Sequence, residues 1–417
     1  MKDFIDLKYA PAKDDVVVQY RIAPAKGYSL RKAASLVAGE SSIGTWTEVS
    51  TMSDRIFKMR PRVFEISSKN KRVRIAYPIE LFELGNIPNI LSSIGGNIFG
   101  MKAVNGLLWE DVEFPKKMLE SFRGPKFGVG GIRKMLKVKT RPLVGTIVKP
   151  KVGLQPGEHA SVAYEAWVGG CDIVKDDENL TSQKFSDFRE RFLKTIRMMK
   201  KAEKETGERK IYFPNCTAET KAMLRRIDFV QNNGGNYIML DILTLGWGAL
   251  QTARNFTKLP IHAHRAGHAM FDRNPNHGMS MLVIAKLARM LGVDSIHIGT
   301  VFGKMVGGKD EVLQIEEEIE TPFTQEDKKN LEQNWGKIKP VMAVASGGVY
   351  PRLVPKIMKI MGNNIVIQAG GGIHGHPGGT RAGATAMRQA VDATLHGYSL
   401  KQVAEIQPEL KEALRKW

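Results

Sequence analysis

From residue 125 onward, the chain alternates short apolar runs with longer segments of helical periodicity. Each apolar run has the length of a buried strand and is followed by polar residues and a predicted helix. The predicted strands are 143–148, 171–174, 211–213, 237–240, 261–263, 295–298, 341–345 and 365–368. Repeated β/α units of this number predict a closed parallel barrel, a (β/α)8 TIM barrel.

One connecting helix illustrates the helical signal. It is predicted to begin after Thr181-Ser182 and to end at Gly207. Its apolar side chains recur at helical spacing, at Phe185, Phe188, Phe192, Ile196 and Met199. An open doubly wound sheet is the alternative fold, but it usually has fewer units and a glycine-rich phosphate loop after its first strand. Here Lys149-Pro150-Lys151 follows that strand, which favours the barrel.

Residues 1–124 mix strand and helix signals. Strands are predicted at 16–22, twice within 63–77 and at 107–114, and helices at 29–38 and within 87–100. The order strand, helix, strand, strand, helix, strand predicts a ferredoxin-like α+β sandwich. With a boundary at Gly124-Pro125, the predicted domains are 1–124 and 125–417.

Composition limits the class of protein. The chain has 417 residues, of which 42% are hydrophobic and 25% charged, as in ordinary globular proteins. The N-terminus lacks the pattern of a signal peptide, and no apolar run approaches the ~20 residues of a membrane span. The two cysteines, Cys171 and Cys216, do not form a disulfide framework. We therefore expect a cytoplasmic protein that does not bind membranes.

The net charge of +19 has two interpretations, a nucleic-acid binder or a lysine-rich surface with a pocket for an anionic substrate. The lysines are scattered and do not form a stripe interleaved with aromatic residues. This distribution favours the anionic substrate and argues against a nucleic-acid partner.

The chemistry begins where the second predicted strand ends, at Lys175-Asp176-Asp177-Glu178. Because side chains alternate along a strand, Lys175 and Asp177 are expected on one face and Asp176 on the other. Two carboxylates, Asp177 and Glu178, favour a hard cation such as Mg²⁺. Lys175 fits such a site only if CO₂ carbamylates its amine and so turns a cation into an oxygen anion. The alternative for this stretch alone is a salt bridge at a strand end.

Other polar residues follow the remaining strands. They are Lys149 and Lys151 after strand one, His262, His264, Arg265 and His268 at strand five, His297 at strand six, Ser346-Gly347-Gly348 after strand seven and Gly370-Gly371-Gly372 after strand eight. Barrel enzymes place their chemistry at this end of the strands. The glycine turns offer backbone N–H groups to one phosphate, and Arg265 with His297 can hold another. Lys304, in a glycine-flanked loop after strand six, is interpreted as a cation on a closing lid. These features predict a bisphosphorylated, sugar-like substrate that chelates Mg²⁺.

The motifs together resemble the large subunit of ribulose-1,5-bisphosphate carboxylase/oxygenase, most closely the archaeal type called form III, over nearly the whole chain. The motifs that carry the resemblance are Gly39-Glu40-Ser41-Ser42-Ile43-Gly44-Thr45-Trp46-Thr47, Gly96-Asn97-Ile98-Phe99-Gly100, Gly145-Thr146-Ile147-Val148-Lys149-Pro150-Lys151, Lys175-Asp176-Asp177-Glu178-Asn179, His262-Ala263-His264-Arg265-Ala266-Gly267-His268-Ala269, His297-Ile298-Gly299-Thr300-Val301-Phe302-Gly303-Lys304, Ser346-Gly347-Gly348 and Gly370-Gly371-Gly372.

The resemblance implies a role for each matching residue. Carbamylated Lys175, Asp177 and Glu178 are expected to bind Mg²⁺, and the carbamate is expected to take the C3 proton of the substrate. Lys149 and His264 are expected to move protons, and Lys304 to polarise CO₂. The substrate-binding residues are expected to be Glu40, Thr45, Trp46, Asn97, Lys149, Lys151, Arg265, His297, Lys304, Ser346, Gly347, Gly348, Gly370 and Gly371.

The resemblance also implies an assembly and a metabolic role. Glu40, Thr45, Trp46 and Asn97 are expected to complete the site of a partner subunit, in a homodimer or an assembly of dimers without a small subunit. The substrates are ribulose bisphosphate with CO₂ or O₂, supplied by AMP or nucleoside salvage. Gly267 stands where the family commonly has a bulkier residue.

Three other functions agree less well with the sequence. A related enolase or isomerase would usually lack several of the lid and phosphate residues present here, such as Lys304 and Arg265. A two-metal hydrolase bridged by carbamylated lysine would carry its paired histidines ahead of the lysine, and here they follow it. An RNA-binding protein would need a recognition motif, and neither an RNP-like nor a GXXG motif occurs.

Overall fold

The computed structural model describes residues 3–45, 47–302, 308–327 and 330–417. They form two compact units. The N-terminal unit comprises the chain up to Arg123 with Gly267–Met290 and Thr321–Ile338, and the barrel unit comprises Gly124–Ala266, Leu291–Glu320 and Lys339–Trp417.

The N-terminal unit has the predicted ferredoxin-like order of elements. These are β1 (Val16–Pro24), α1 (Leu30–Glu40), α2 (Asp54–Lys58), β2 (Arg62–Ser67), β3 (Arg72–Tyr77), α3 (Ile87–Ile94) and β4 (Val104–Glu113). β1 lies between β3 and β4 and is antiparallel to both, which gives the sheet order β4-β1-β3-β2. The predicted serine cap is present, since Ser29 Oγ accepts a hydrogen bond from Lys32 N at 3.1 Å. Short helical turns lie at Ile79–Leu81, Asn97–Gly100 and Lys116–Leu119.

Two later segments belong to this unit, although the predicted division placed everything after residue 124 in the barrel domain. The short strand Gly278–Met279 extends the sheet beside β4 and runs parallel to it. The apolar helix Met281–Leu291 brings Lys286 Nζ to 2.7 Å from Asp111 Oδ1, with both side chains fully buried. The strands Phe323–Thr324 and Gln333–Asn334 pair with each other, and Ala269–Asp272 is helical. Strand pairing and a buried ion pair hold these segments in the N-terminal unit. Neither contact has a local signal in the sequence.

The barrel unit contains the eight predicted parallel strands. They are Leu143–Ile147, Ile173–Lys175, Ile211–Phe213, Ile238–Asp241, Ile261–His264, Ser295–Gly299, Met342–Ser346 and Ile365–Gln368. Barrel strand eight pairs with strand one. Between strands three and four, Met239 N donates to Pro214 O at 2.9 Å, and Cys216 N donates to Met239 O at 3.0 Å. These bonds close the barrel, which confirms the predicted fold class.

Helices and turns connect the strands. They are Gly128–Leu136, Pro156–Val168, Phe188–Thr206, Thr220–Asn232, Ile242–Leu245, Trp247–Phe256, Lys309–Glu320, Pro351–Leu353, Val354–Met361, Gly371–His374, Gly379–Leu395, Leu400–Ile406 and Pro408–Lys416. The illustrated helix begins later than predicted, because Asp187 caps it through Arg189 N and Glu190 N and leaves Phe185 outside. It ends as predicted at Gly207, where φ is +70°. None of the described helices is long and apolar enough to cross a membrane.

Apolar side chains fill the lower part of the barrel. The buried cluster comprises Ile132, Leu136, Leu143, Ile173, Ile211, Phe213, Tyr237, Met239, Met342, Val344 and Val366. Along the second strand, Ile173 belongs to this cluster and Lys175, two residues on, follows on the same face. The alternation of the strand therefore directs Lys175 toward the carboxyl-terminal mouth of the barrel.

Candidate active site

The end of barrel strand two concentrates charge in a buried place. Lys175 is 1% exposed, and its Nζ donates to Asp176 O at 2.8 Å and lies 3.4 Å from Glu178 Oε2. Burial lowers the pKa of the Lys175 amine, while Glu178 and Asp177 act in the opposite direction. Burial would raise the pKa of Glu178, but Lys175 and His264 outweigh it and bring that pKa to about 2. The site therefore joins ionised carboxylate to an amine whose neutral form is favoured by burial.

Asp176 points away from this cluster, as strand alternation predicts. It is fully buried, and its carboxylate accepts hydrogen bonds from Tyr212 Oη at 2.6 Å, Asn215 N at 3.0 Å and Arg191 Nη2 at 3.2 Å. Burial opposes ionisation of Asp176, but Arg191 outweighs it and lowers its pKa. Asn215 Nδ2 also donates to Glu178 O at 3.0 Å. Asp176 and Asn215 thus fix the backbone that carries the site, and no local pattern in the sequence pointed to Asn215.

The two lysines after strand one reach the same carboxylates. Lys149 Nζ lies 2.8 Å from Asp177 Oδ2, and Lys151 Nζ lies 3.4 Å from Glu178 Oε1. Asp177 is 1% exposed, whereas Lys151 is on the exposed rim. The structure therefore brings together the predicted charged residues at the ends of strands one and two, which are Lys149, Lys151, Lys175, Asp177 and Glu178.

His264 joins this group from strand five. Its Nε2 lies 3.4 Å from Glu178 Oε2, and its Nδ1 lies 2.6 Å from Asp241 Oδ1. Because the buried Asp241 carboxylate can only accept, it holds the proton on Nδ1 and leaves Nε2 for exchange with the site. Asp241 was not among the predicted site residues, since the predicted fourth strand stopped at residue 240. A carboxylate at the end of a barrel strand was the available signal.

His297 and Ser346 meet at the ends of strands six and seven. His297 Nδ1 lies 2.7 Å from Ser346 Oγ, and the His297 ring packs edge-on against His264 with centroids 5.0 Å apart. Burial, assisted by His262, holds the pKa of His297 well below its ordinary value, so the ring is neutral. Its Nε2 is buried and has no hydrogen-bond partner among the described residues. That nitrogen is available to a ligand oxygen. Arg265, also predicted here, is 8% exposed.

Glycine turns follow strands seven and eight at the same end of the barrel. Gly347 and Gly348 have φ of +111° and +84°, values that favour glycine. A Cβ on Gly370 would lie 3.1 Å from Lys149 Cε, whereas one on Gly371 would meet no atom within 4 Å. The turn after strand eight therefore packs against Lys149 at Gly370 and borders open space at Gly371.

The remaining predicted residues belong to the N-terminal unit or lie outside the described residues. Glu40 ends α1, which contacts the turn Asn97–Gly100, and Thr45 and Asn97 are exposed. The loop after α1 is tight, with Gly44 N donating to Gly39 O at 2.9 Å. Trp46 and Lys304 lie outside the described residues.

His268 was predicted at the end of strand five with His264, but it belongs to the N-terminal unit. There its Nδ1 lies 2.6 Å from Asp272 Oδ2. Gly267 just before it has φ of +85°, and a Cβ there would lie 2.8 Å from Met270 Cε. The local backbone therefore suits glycine at the position where the family commonly has a larger residue.

The donor set fits the predicted metal only with help from Lys175. Within the described ranges, no group of three His, Cys, Asp or Glu side chains is arranged to hold a metal ion. Asp177 and Glu178 provide two carboxylates, and a carbamate on Lys175 would provide the third oxygen ligand. All three are oxygen donors of the kind Mg²⁺ prefers. Burial lowers the pKa of the Lys175 amine and so shifts it toward the neutral form that reacts with CO₂.

Fold and site define a (β/α)8-barrel protein with a lysine–carboxylate centre at the carboxyl ends of its strands. Residues 128–417 match the family described as "Ribulose bisphosphate carboxylase large chain, catalytic domain", and residues 3–118 match its "N-terminal domain". The chain belongs to the ribulose bisphosphate carboxylase large-chain family, and the resemblance seen in its motifs is confirmed.

Archaeal proteins are among its similar relatives. It is 52% identical to "Ribulose bisphosphate carboxylase" of Methanocaldococcus jannaschii over 100% of both chains. Among solved structures, "Dimeric Archeal Rubisco from Hyperthermus butylicus" has a TM-score of 0.94 and 46% identity, covering 99% of this chain and 98% of that one. The sulfate complex of octameric ribulose-1,5-bisphosphate carboxylase/oxygenase from Pyrococcus horikoshii has a TM-score of 0.92 and 45% identity, covering 99% and 96%.

Proposed function

We propose that this protein carboxylates ribulose 1,5-bisphosphate with CO₂ and water to give two molecules of 3-phosphoglycerate, with O₂ as a competing substrate. The observation that carries the proposal is the convergence of Lys175, Asp177, Glu178, Lys149 and His264 at the barrel mouth. The relatives named above carry the name of this activity and match the chain over its full length.

Each charged residue at the ends of strands one and two is assigned a step of the proposed reaction. Lys175, once carbamylated, would act as the base that takes the C3 proton of the sugar. Mg²⁺ held with Asp177 and Glu178 would stabilise negative charge on the substrate oxygens. Lys149, paired with Asp177, would protonate the final carbanion, and Lys151 at the rim would face the same carboxylates.

Histidines and glycines would handle water and phosphate. His264 Nε2, with its other nitrogen fixed by Asp241, would assist hydration after CO₂ adds at C2. Arg265, His297 and Ser346 would hold one phosphate. The turns Gly347-Gly348 and Gly370-Gly371 would hold the other, together with Thr45 and Trp46 of a partner subunit. Lys304 would polarise CO₂ from the loop after strand six.

The test is to incubate the purified protein with Mg²⁺, labelled bicarbonate and ribulose bisphosphate and to look for labelled 3-phosphoglycerate. Lys175→Ala should abolish the label while the fold survives. Unlabelled isomerised or enolised sugar from the wild type would instead support a related enolase or isomerase. Lys304→Ala should retain C3 proton exchange and lose carboxylation, and parallel loss of both would contradict its assigned role.

Assembly, location and metabolic context are part of the same proposal. Similar proteins are titled dimeric or octameric, which supports a homodimer or an assembly of dimers without a small subunit, with Glu40, Thr45, Trp46 and Asn97 serving the partner's site. The similarity to archaeal relatives supports a cytoplasmic role in AMP or nucleoside salvage. Labelled AMP added to an extract should yield labelled 3-phosphoglycerate only when this protein is active.

A further inference from the structure

A second cavity lies at the opposite end of the barrel from the candidate active site. Its volume is about 350 Å³. Its walls come from the segment before strand one, the segment before strand three and the end of the helix Gly379–Leu395. These parts of the barrel unit all lie at the amino-terminal ends of the strands. The cavity therefore shares no residue with the site around Lys175.

Cationic side chains dominate the lining. They are Lys137, Lys139, Arg141, Arg209 and Arg388, against the two carboxylates Asp172 and Glu208. Both carboxylates already form ion pairs with residues of the protein. The cavity is consequently positive toward any ligand that enters it.

The arginines Arg141 and Arg388 form ion pairs with these carboxylates, whereas the lysines of the lining do not. Arg141 makes two bonds of 2.6 Å to the Asp172 carboxylate. Glu208 accepts from Lys210 at 2.7 Å and from Arg388 at 3.2 Å. For Lys137 and Lys139, by contrast, no side-chain hydrogen bond or ion pair occurs with any residue that the structure describes.

The segment that carries these lysines is held in place by the protein itself. Arg133 Nη1 donates to Val138 O at 3.4 Å and to Arg141 O at 3.1 Å, and its Nε donates to Asn364 Oδ1 at 3.0 Å. Lys137 has a left-handed backbone, with φ of +57°, at the end of the helix Gly128–Leu136. The backbone of the segment is therefore already ordered, and a ligand would have to restrict only the exposed Lys137 and Lys139 side chains.

The cavity also has an apolar side, formed by the half-buried side chains of Val138 and Leu395, with Leu136 of the barrel core behind them. A bare ion would leave these side chains uncovered, whereas a ligand with an organic body would contact them. The volume is at the lower end of the range of about 300–1,000 Å³ that is usual for small-molecule sites. An anionic group of such a ligand could contact the side chains of Lys137, Lys139 and Thr140, which line the cavity.

We infer that this cavity is a second ligand site, for a small organic phosphate, separate from the catalytic site. The phosphate is held by Lys137 and Lys139, with Thr140 as a hydroxyl donor. The organic body packs against Val138 and Leu395. Because the catalytic site is itself proposed to bind phosphate groups, two classes of phosphate site per chain are expected.

Ribose 5-phosphate is the probe, and calorimetric titration of the intact protein is the measurement. The wild type should show two sites per chain, and the double variant Lys137→Ala/Lys139→Ala should lose one or weaken it by at least about tenfold, as expected for lost charge-assisted bonds. The matched control Lys134→Ala/Lys200→Ala removes the same charge from exposed positions outside the cavity and should keep both sites. The KM for ribulose bisphosphate should be unchanged in both variants.

Several results would overturn the inference. Unchanged binding of ribose 5-phosphate in Lys137→Ala/Lys139→Ala would do so, whatever the number of sites in the wild type. Equal weakening in the two double variants would also do so, since general charge would then explain binding. A KM that changes only in Lys137→Ala/Lys139→Ala would place the lysines at the catalytic site. If inorganic phosphate binds as tightly as ribose 5-phosphate, the organic part of the ligand contributes nothing to binding, and the site is not specific for an organic phosphate. Melting temperatures of both variants within about 2 °C of wild type establish that folding is retained.

Discussion

At the scale of single residues, the two nitrogens of His264 have different tasks. Nδ1 is committed to Asp241 at 2.6 Å, and Nε2 faces Glu178 at 3.4 Å. A carboxylate behind a working histidine sets both its orientation and the position of its proton. In the proposed mechanism Asp241 would thereby be a positioning residue, which acts on the substrate only through His264.

Asp241→Asn should lower kcat by about 10- to 100-fold with little change in KM, because the amide can present its N–H to Nδ1 and so permit the wrong tautomer. Steady-state kinetics of Asp241→Asn, His264→Gln and the double variant form the measurement. If Asp241 acts through His264, the double variant should be no slower than His264→Gln alone. Independent, multiplying effects would contradict the positioning role.

The sequence indicated most charged residues of the site, because each directly follows an apolar strand. Lys149, Lys175 and His264 were predicted in this way. Strand alternation also predicted that Asp176 points to the face opposite Lys175. Asp241 was missed because the helix Ile242–Leu245 begins immediately after it and hides the strand end. Asn215 was missed because its task is to bond backbone atoms of another strand, and only the closed barrel shows that pairing.

At the scale of elements, the helix Phe188–Thr206 clamps barrel strand two from outside. Arg191 donates to Asp176 at 3.2 Å and also to Thr181 O at 2.6 Å, and both partners of the ion pair are fully buried. The clamp therefore supports, from behind, the three-residue strand that ends in Lys175.

Arg191→Met should destabilise the protein by about 3–5 kcal/mol, because it leaves the Asp176 charge buried without its cation. Thermal denaturation should show a clearly lower melting temperature, and activation should require more Mg²⁺. Arg197→Met, at an exposed position of the same helix, is the control and should change neither quantity. A wild-type melting temperature for Arg191→Met would show that Tyr212 and Asn215 suffice for Asp176.

The helix Lys309–Glu320 carries two buried acids one turn apart. Burial, with the nearby Glu320 carboxylate, raises the pKa of Glu316 to about 8, and burial raises that of Glu320 to about 7. An acid whose pKa is higher in the folded protein stabilises the fold below its unfolded value and loses that contribution as pH rises through the folded value. The contribution of these two acids to stability should therefore decline from about pH 4.5 to about pH 8.

Glu316→Gln should remove part of this decline, because glutamine stays neutral at every pH. Its melting temperature should exceed that of wild type by roughly 2 °C at pH 9 and differ little at pH 4.5. Differential scanning calorimetry across this range is the measurement, with exposed Glu317→Gln as the control. A constant difference between Glu316→Gln and wild type at all pH values would exclude ionisation of Glu316 as the cause.

Element boundaries also limited what the sequence could predict. All eight barrel strands and the ferredoxin-like order follow from apolar runs and their spacing. The allocation of Gly267–Met290 and Thr321–Ile338 to the N-terminal unit does not, because it depends on a parallel two-residue pairing and on Lys286 reaching Asp111. Such long-range contacts leave no periodic trace in the chain.

At the scale of the whole molecule, the predicted site residues come from both units. Glu40, Thr45 and Asn97 belong to the N-terminal unit, and the lysines, carboxylates and histidines of the site belong to the barrel unit. The proposed dimer would combine one subunit's barrel with its partner's N-terminal loops around a two-fold axis.

Co-expression of Trp46→Ala with Lys175→Ala tests this assembly. Each variant alone should be inactive, the first in the N-terminal contribution and the second in the barrel. Mixed dimers should contain one site with both lesions and one intact site, so activity should return to roughly a quarter of wild type. Native mass spectrometry verifies the mixed dimers, and their inactivity would show that the sites are not shared.

The division of the N-terminal unit into three chain segments has a consequence for the order in which the protein is made. Asp111 is buried and receives Lys286 Nζ at 2.7 Å and Leu331 N at 2.8 Å, both of which leave the ribosome long after it. At about 5–20 residues per second, the delay until residue 331 is on the order of ten to forty seconds. During that interval β4 lacks its neighbour Gly278–Met279, and Asp111 lacks its cation. The first unit to be synthesised is therefore completed only after six of the eight barrel strands have been made, and the nascent chain must keep an unfinished sheet soluble until then.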